Sequence, residues 1–84
     1  MSDHPLVPQV IAEFILGEFL PGEDPANLSD QTQLITSGIL DSLATLRLIA
    51  FVEQKFGVRI AAHEADESNF DTIELISRLI ESKR

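Results

Sequence analysis

One serine in this chain stands where a hydroxyl could do chemistry. Ser42 lies in Leu40-Asp41-Ser42-Leu43, where a glycine-containing loop, Thr36-Ser37-Gly38-Ile39, gives way to an apolar, helix-forming run. A hydroxyl in the first turn of a helix meets unpaired N–H groups and the positive end of the helix dipole, which stabilise a negative group attached there, such as a phosphodiester. Gly38 lets the approaching chain turn tightly without a Cβ clash. A nucleophilic serine needs a base, and none accompanies this one in sequence. The two imidazoles, His4 and His63, have no triad context; His4 reads as terminal and solvated, His63 as a surface residue near a short helix. No Gly-x-Ser-x-Gly elbow or phosphate-cradling loop is present. The acids between Glu64 and Glu74 lack EF-hand spacing and read as a solvated face. Ser42 therefore looks like a residue that is modified, not one that attacks.

The elements that must position this serine belong to a small chain. Its 84 residues suit one domain, with an ordered core expected over about 6–82. A domain of this size buries only about 60% of its unfolded surface, so the core is thin. The 44% hydrophobic content is nevertheless enough for a folded core. With no cysteine, a disulfide framework and a thiolate metal site are both excluded, and any thiol chemistry would need an attached group. Fourteen acids against six bases set the net charge at −8 and disfavour nucleic acid and anionic membranes. That balance favours solubility and steering toward basic partners. No Lys or Arg precedes Arg47, whereas Asp41 to Phe56 is balanced in charge. No apolar run approaches the roughly 20 residues of a membrane span, and no signal peptide is visible. These features predict a soluble, cytoplasmic monomer.

Periodicity predicts helices and no alternating strands. The first should run from Pro8 to about Phe19, with Val7, Val10, Ile11, Phe14 and Ile15 on its apolar face and Pro21-Gly22 ending it. A long connection, Leu20 to Leu40, should be pinned by Leu28, Leu34 and Ile39. The second helix should run from Ser42 to Phe56, with Asp41 as N-cap and Gly57 as the C′ residue. Leu48, Ile49, Val52 and Phe56 should enter the core, with Leu46 at the border of that face. Leu43, Arg47, Ala50 and Gln54 form another strip, which leaves Leu43 as an exposed apolar knob. Val58-Arg59-Ile60 reads as an extended link, and His63 to Ser68 as one short helical turn. Asp71-Thr72-Ile73-Glu74 has capping-box spacing, with Asp71 as the cap, and should open a last helix to about Ser82 that buries Ile73, Ile76, Leu79 and Ile80. The expected fold is all-α, a small four-helix bundle of three main helices and one short one.

The run Gln33-Leu34-Ile35-Thr36-Ser37-Gly38-Ile39-Leu40-Asp41-Ser42-Leu43, continuing through Leu48-Ile49 to Glu53-Gln54-Lys55-Phe56-Gly57-Val58, resembles the acyl/peptidyl carrier protein family. Asn69-Phe70-Asp71-Thr72-Ile73 matches the family's approach to its last helix as well. The resemblance implies that a phosphopantetheinyl transferase, using coenzyme A and magnesium, attaches 4′-phosphopantetheine to Ser42. It implies further that acids are held on the arm's thiol as thioesters, that a carrier is not itself an enzyme, and that its contribution is effective concentration. Asp41 and Leu43 would lie beside the arm, and Leu43, Leu46, Arg47, Ala50 and Gln54 would form the partner-docking surface. The partners implied are the transferase, an acyl- or aminoacyl-loading ligase, and downstream acyltransferases or synthases.

The chain departs from fatty-acid carriers along the second helix. Positions commonly acidic in that group are Ala44, Arg47, Gln54 and Lys55 here, and a common methionine is Ala50. These departures imply a dedicated partner set in a specialised pathway. The Gly-Gly-His-Ser signature of many peptidyl carriers is absent, and Gly38-Ile39-Leu40-Asp41-Ser42-Leu43 looks closer to free-standing carriers, D-alanyl carriers included. The leading expectation is thus a free-standing acyl carrier, with an aminoacyl or peptidyl carrier of the D-alanyl type as the alternative. An unmodified helical adaptor, and more distantly a small hydrolase, are the alternatives from other classes.

Overall fold

Three amphipathic segments, none able to bury its apolar face alone, pack on one another in the computed structural model, which describes residues 6–84. The order is α1 (Val7–Phe19), α2 (Ser42–Phe56), the short α3 (Glu67–Phe70) and α4 (Ile73–Lys83), with 3₁₀ turns at Pro25–Asn27 and Ala62–Glu64. No strand occurs among the described residues. α1 packs against both α2 and α4, and α3 packs on α4. The fold is the expected all-α arrangement of three main helices and a short one, with a radius of gyration of 12.1 Å. His4 and the Met1-to-Pro5 segment lie outside the described residues.

The core forms where the helical faces converge. α1 contributes Val7, Ile11 and Ile15, α2 contributes Leu48 and Val52, and α4 contributes Ile73, Ile76 and Ile80, all buried. Phe70, the largest fully buried side chain, fills the space beneath the α3–α4 corner. Val10 and Phe14 are only half-buried because they sit at the α1–α2 seam. There Phe14 stacks on Phe51 with ring centroids 4.0 Å apart and meets Phe19 edge-on at 5.8 Å. Phe51 was not among the expected core positions. Its contact depends on where α1 crosses α2.

The cap of α2 is the one expected. Asp41 accepts a hydrogen bond from the Ala44 N–H at 2.8 Å, and Gly57 ends the helix in the left-handed region at φ 68°. Leu46 differs from expectation. Expected at the border of the core face, it stands two residues from Leu48, a rotation of about 200° on a 3.6-residue helix, and is 62% exposed. Ile49, Phe56 and, on α4, Leu79 are half-buried.

Three further expectations change. The cap of α4 is Thr72, whose hydroxyl accepts from the Leu75 N–H at 3.1 Å; Asp71 does not cap the helix, so no capping box forms. The segment expected to make one turn over His63 to Ser68 divides into the Ala62–Glu64 turn and α3. In the long connection Leu28 and Leu34 are buried as expected, but Leu40 is buried where Ile39 stays half-exposed. Leu40 is drawn inward because its N–H donates to the Leu34 carbonyl at 2.8 Å, which closes the loop just ahead of α2.

Candidate functional site

Ser42 is the first residue of α2 and is exposed. The Asp41 carboxylate is turned onto the Ala44 N–H, and the Asp41 carbonyl accepts both the Thr45 N–H at 2.9 Å and the Thr45 hydroxyl at 2.8 Å. The N–H groups of Ser42 and Leu43 keep no acceptor among the described residues, as the open end of a helix requires. The Ser42 hydroxyl likewise makes no hydrogen bond there, whereas most other described serines are engaged. Ser29 bonds within its own turn, and Ser37, Ser77 and Ser82 donate to main-chain carbonyls. Asp41→Ala should cost about 1 kcal/mol of stability, read as a lowered urea midpoint, while Asp41→Asn should keep most of it.

An open cleft of about 600 Å³ starts at this serine. Its walls are Thr45, Leu46 and Ile49 of α2, Ile35 and Leu40 of the preceding loop, and Ala65, Asp66 and Glu67 ahead of and in α3. The lining is mainly apolar, with carboxylates at the rim. Sequence reasoning missed this wall because its pieces come from three separate stretches of chain. The exposure of Leu46 has its explanation here: it faces the cleft.

The loop side of the cleft is held from the start of α4. Asp71 Oδ1 accepts from the Ile35 and Thr36 N–H groups, each at 2.9 Å, and the Thr36 hydroxyl reaches both carboxylate oxygens at 3.1–3.2 Å. The Asp71 carbonyl accepts the Leu34 N–H at 2.6 Å. These donors, the Thr36 N–H foremost, hold the Asp71 carboxyl below its ordinary pKa. On the α3 side, Glu64 pairs with Lys83 at 2.8 Å and accepts the Ala61 N–H at 2.9 Å. The Lys83 hydrogen bond, then that of Ala61, lowers its pKa.

The remaining residues singled out in sequence fall outside the cleft. Leu43 is 62% exposed, and Arg47, Ala50 and Gln54 are exposed beside it along α2. Arg47 forms no ion pair among the described residues. His63 is exposed in the Ala62–Glu64 turn. No group of three or more metal-ligating side chains converges among the described residues, and none of their helices is long and apolar enough to cross a membrane.

A helical bundle with a solvated serine at the mouth of an apolar cleft is the frame of a carrier, and the chain belongs to the phosphopantetheine attachment site family, whose model matches residues 15–80. The cofactor of this family is covalently attached 4′-phosphopantetheine. Members of the family generally act as carriers of bound groups and not as catalysts. Among relatives, the D-alanyl carrier protein of Lacticaseibacillus casei (strain BL23) is 34% identical over 53 residues, 63% of this chain and 65% of that protein. The chain thus spans less than two thirds of that relative's length. A solved chain in a structure described as "Crystal structure of FAD-dependent dehydrogenase" superposes with a TM-score of 0.75 at 34% identity, covering 83% of this chain and 97% of that one. The residues around Ser42 fit the family's cofactor. They offer a free hydroxyl, two open N–H groups for phosphate oxygens and an apolar cleft beside them.

Proposed function

We propose that this chain is a carrier modified at Ser42 and that its cargo is an amino acid. The observation that carries the reading is the Ser42 hydroxyl, exposed and without an internal partner at the N-terminus of α2. A phosphopantetheinyl transferase supplies the base, since no hydrogen-bonded base accompanies Ser42 among the described residues. Ser42 Oγ attacks the phosphate of coenzyme A that bears the pantetheine, its proton passes to that base, and adenosine 3′,5′-bisphosphate leaves. The attached arm then supplies a thiol that holds acids as thioesters. The N–H groups of Ser42 and Leu43 and the α2 dipole stabilise the phosphodiester. The Asp41 side chain accepts the Ala44 N–H, which keeps the helix start in place.

Aminoacyl cargo is supported by the similarity to a D-alanyl carrier. The loading enzyme is then an adenylating ligase. The match to a chain in a flavin-dependent dehydrogenase structure supports a downstream partner that oxidises the tethered group. Acyl cargo of the fatty or polyketide type is the second reading. It is favoured by the apolar cleft at Ser42. Incubation with coenzyme A, magnesium and a broad-specificity transferase should add one phosphopantetheine, read by intact mass. The holo protein should then take D-alanine from a D-alanine-activating ligase and ATP. Loading only by a fatty-acyl ligase would move the assignment to the second reading.

Docking is assigned to the exposed strip of α2, where Leu43 and Leu46 stand proud, with Arg47, Ala50 and Gln54 between and beyond them. Arg47, with no carboxylate partner among the described residues, fits a partner that presents one. Leu43→Ala or Arg47→Glu should lower loading kcat/KM by about tenfold, the worth of a single well-placed interface contact, with unchanged circular dichroism. Two variants loaded as fast as the wild type would remove the strip from the docking surface.

A further inference from the structure

Asp71 lies far from Ser42 in sequence, yet its hydrogen bonds converge on the loop that leads to Ser42. Its carboxylate takes the Ile35 and Thr36 N–H groups and the Thr36 hydroxyl, and its carbonyl takes the Leu34 N–H. The Leu34 carbonyl takes the Leu40 N–H at 2.8 Å, and Gly38 N–H donates to the Ile35 carbonyl at 3.0 Å. Residues 34–40 are thus closed on themselves and fastened at one corner by a single residue, through its carboxylate and its carbonyl. The loop ends against Asp41, the cap that sets the first turn of α2. Ile35 and Leu40, at its two ends, both line the cleft that opens at Ser42.

We infer that Asp71 is a positioning residue for the modification of Ser42, an inference that rests on the Ser42 reading above. By holding Ile35 and Thr36 it sets the loop wall of the cleft against the start of α2, and so fixes the surface on which the transferase and the arm of coenzyme A approach the hydroxyl. A cap of α4 would not have this effect. Thr72 performs the capping, which leaves the Asp71 side chain committed to the loop. The arrangement also makes the charged form the useful one. Both backbone N–H groups share Oδ1, which an asparagine would keep; the carboxylate adds its charge to those bonds and a second oxygen for the Thr36 hydroxyl.

The test compares wild type, Asp71→Asn, Asp71→Ala and Thr36→Val as substrates of a broad-specificity transferase with coenzyme A and magnesium. Each is assayed under conditions where urea titration shows it folded. Asp71→Ala should lose between about tenfold and a hundredfold in kcat/KM, the scale of an ångström-level misplacement, chiefly through a raised KM for the carrier. Asp71→Asn should fall between Asp71→Ala and wild type. Thr36→Val, which keeps both backbone donors, should stay near wild type. In NMR spectra of Asp71→Asn the amide protons of Ile35 and Thr36 should move upfield, and the Ser42 amide should shift with them. Wild-type kinetics in Asp71→Asn and Asp71→Ala, with the Ile35 and Thr36 amides displaced, would overturn the inference and leave the Ser42 reading standing. A loss of rate that only tracks the unfolded fraction would reduce Asp71 to a stabilising residue and overturn it equally. Failure of the wild type to be modified would remove the Ser42 reading, and this inference with it.

Discussion

Ser42→Ala is expected to take up no phosphopantetheine under conditions that convert the wild-type chain. Among the described serines, Ser29, Ser37, Ser77 and Ser82 spend their hydroxyls on bonds within the chain. Ser68 is the one competitor, exposed and without a hydrogen-bond partner among the described residues. It sits in the four-residue α3, next to Glu67 and two residues beyond Asp66, where a phosphodiester would meet like charge. Ser68→Ala should therefore be modified as the wild type is. Because Ser42 is solvated at the first position of α2, its replacement should change stability by no more than about 0.5 kcal/mol. Loss of the mass increment can then be read as loss of the attachment point and not of the fold. An added phosphopantetheine on Ser42→Ala would refute the assignment. An unmodified wild-type chain would return the protein to the class of helical adaptors.

The largest effect on stability is expected from Phe70→Ala. Phe70 is fully buried, the largest side chain of the core, at the corner where α3 turns into α4. Removing a buried phenyl ring costs about 3–5 kcal/mol, the transfer energy of the ring plus the cavity it leaves. A chain of this length has about 0.05–0.15 kcal/mol per residue in all, on the order of 4–13 kcal/mol. The substitution should thus remove about a quarter of the total or more. Urea unfolding followed by circular dichroism should show a midpoint lowered accordingly, or no folded baseline at 37 °C. A loss below about 1 kcal/mol would mean that the ring is not packed as described. The site should suffer with the core, since Asp71 follows Phe70 directly and fastens the loop at Ser42.

How far the site was legible in the sequence depended on the range of the interactions involved. The cap, first turn and C′ glycine of α2 are contacts within a few residues, and the sequence places Asp41, Ser42 and Gly57 correctly. The buried faces of α1 and α4 follow from helical period alone at Val7, Ile11, Ile15, Ile73, Ile76 and Ile80. Leu46 was misplaced at the border of the core because apolar character does not distinguish a core residue from one facing a cleft. Asp71 was misread because Asp71-Thr72 offers two possible caps in succession. Only the distance from α4 to the Leu34–Thr36 loop decides which one caps. No local signal would have joined Asp71 to Ile35 and Thr36.

Local chemistry and periodicity were thus enough to specify the three main helices, the capped start of α2 and a solvated serine within it. Each of these depends on neighbours a turn or less away. Which residues wall the cleft, which leucine stays in water and which carboxylate fastens the loop were decided only when α4 docked across the long connection. The Asp71 contacts join residues 35 and 36 apart in the chain, and apart from the Thr36 hydroxyl their donors are main-chain N–H groups, which no sequence pattern marks.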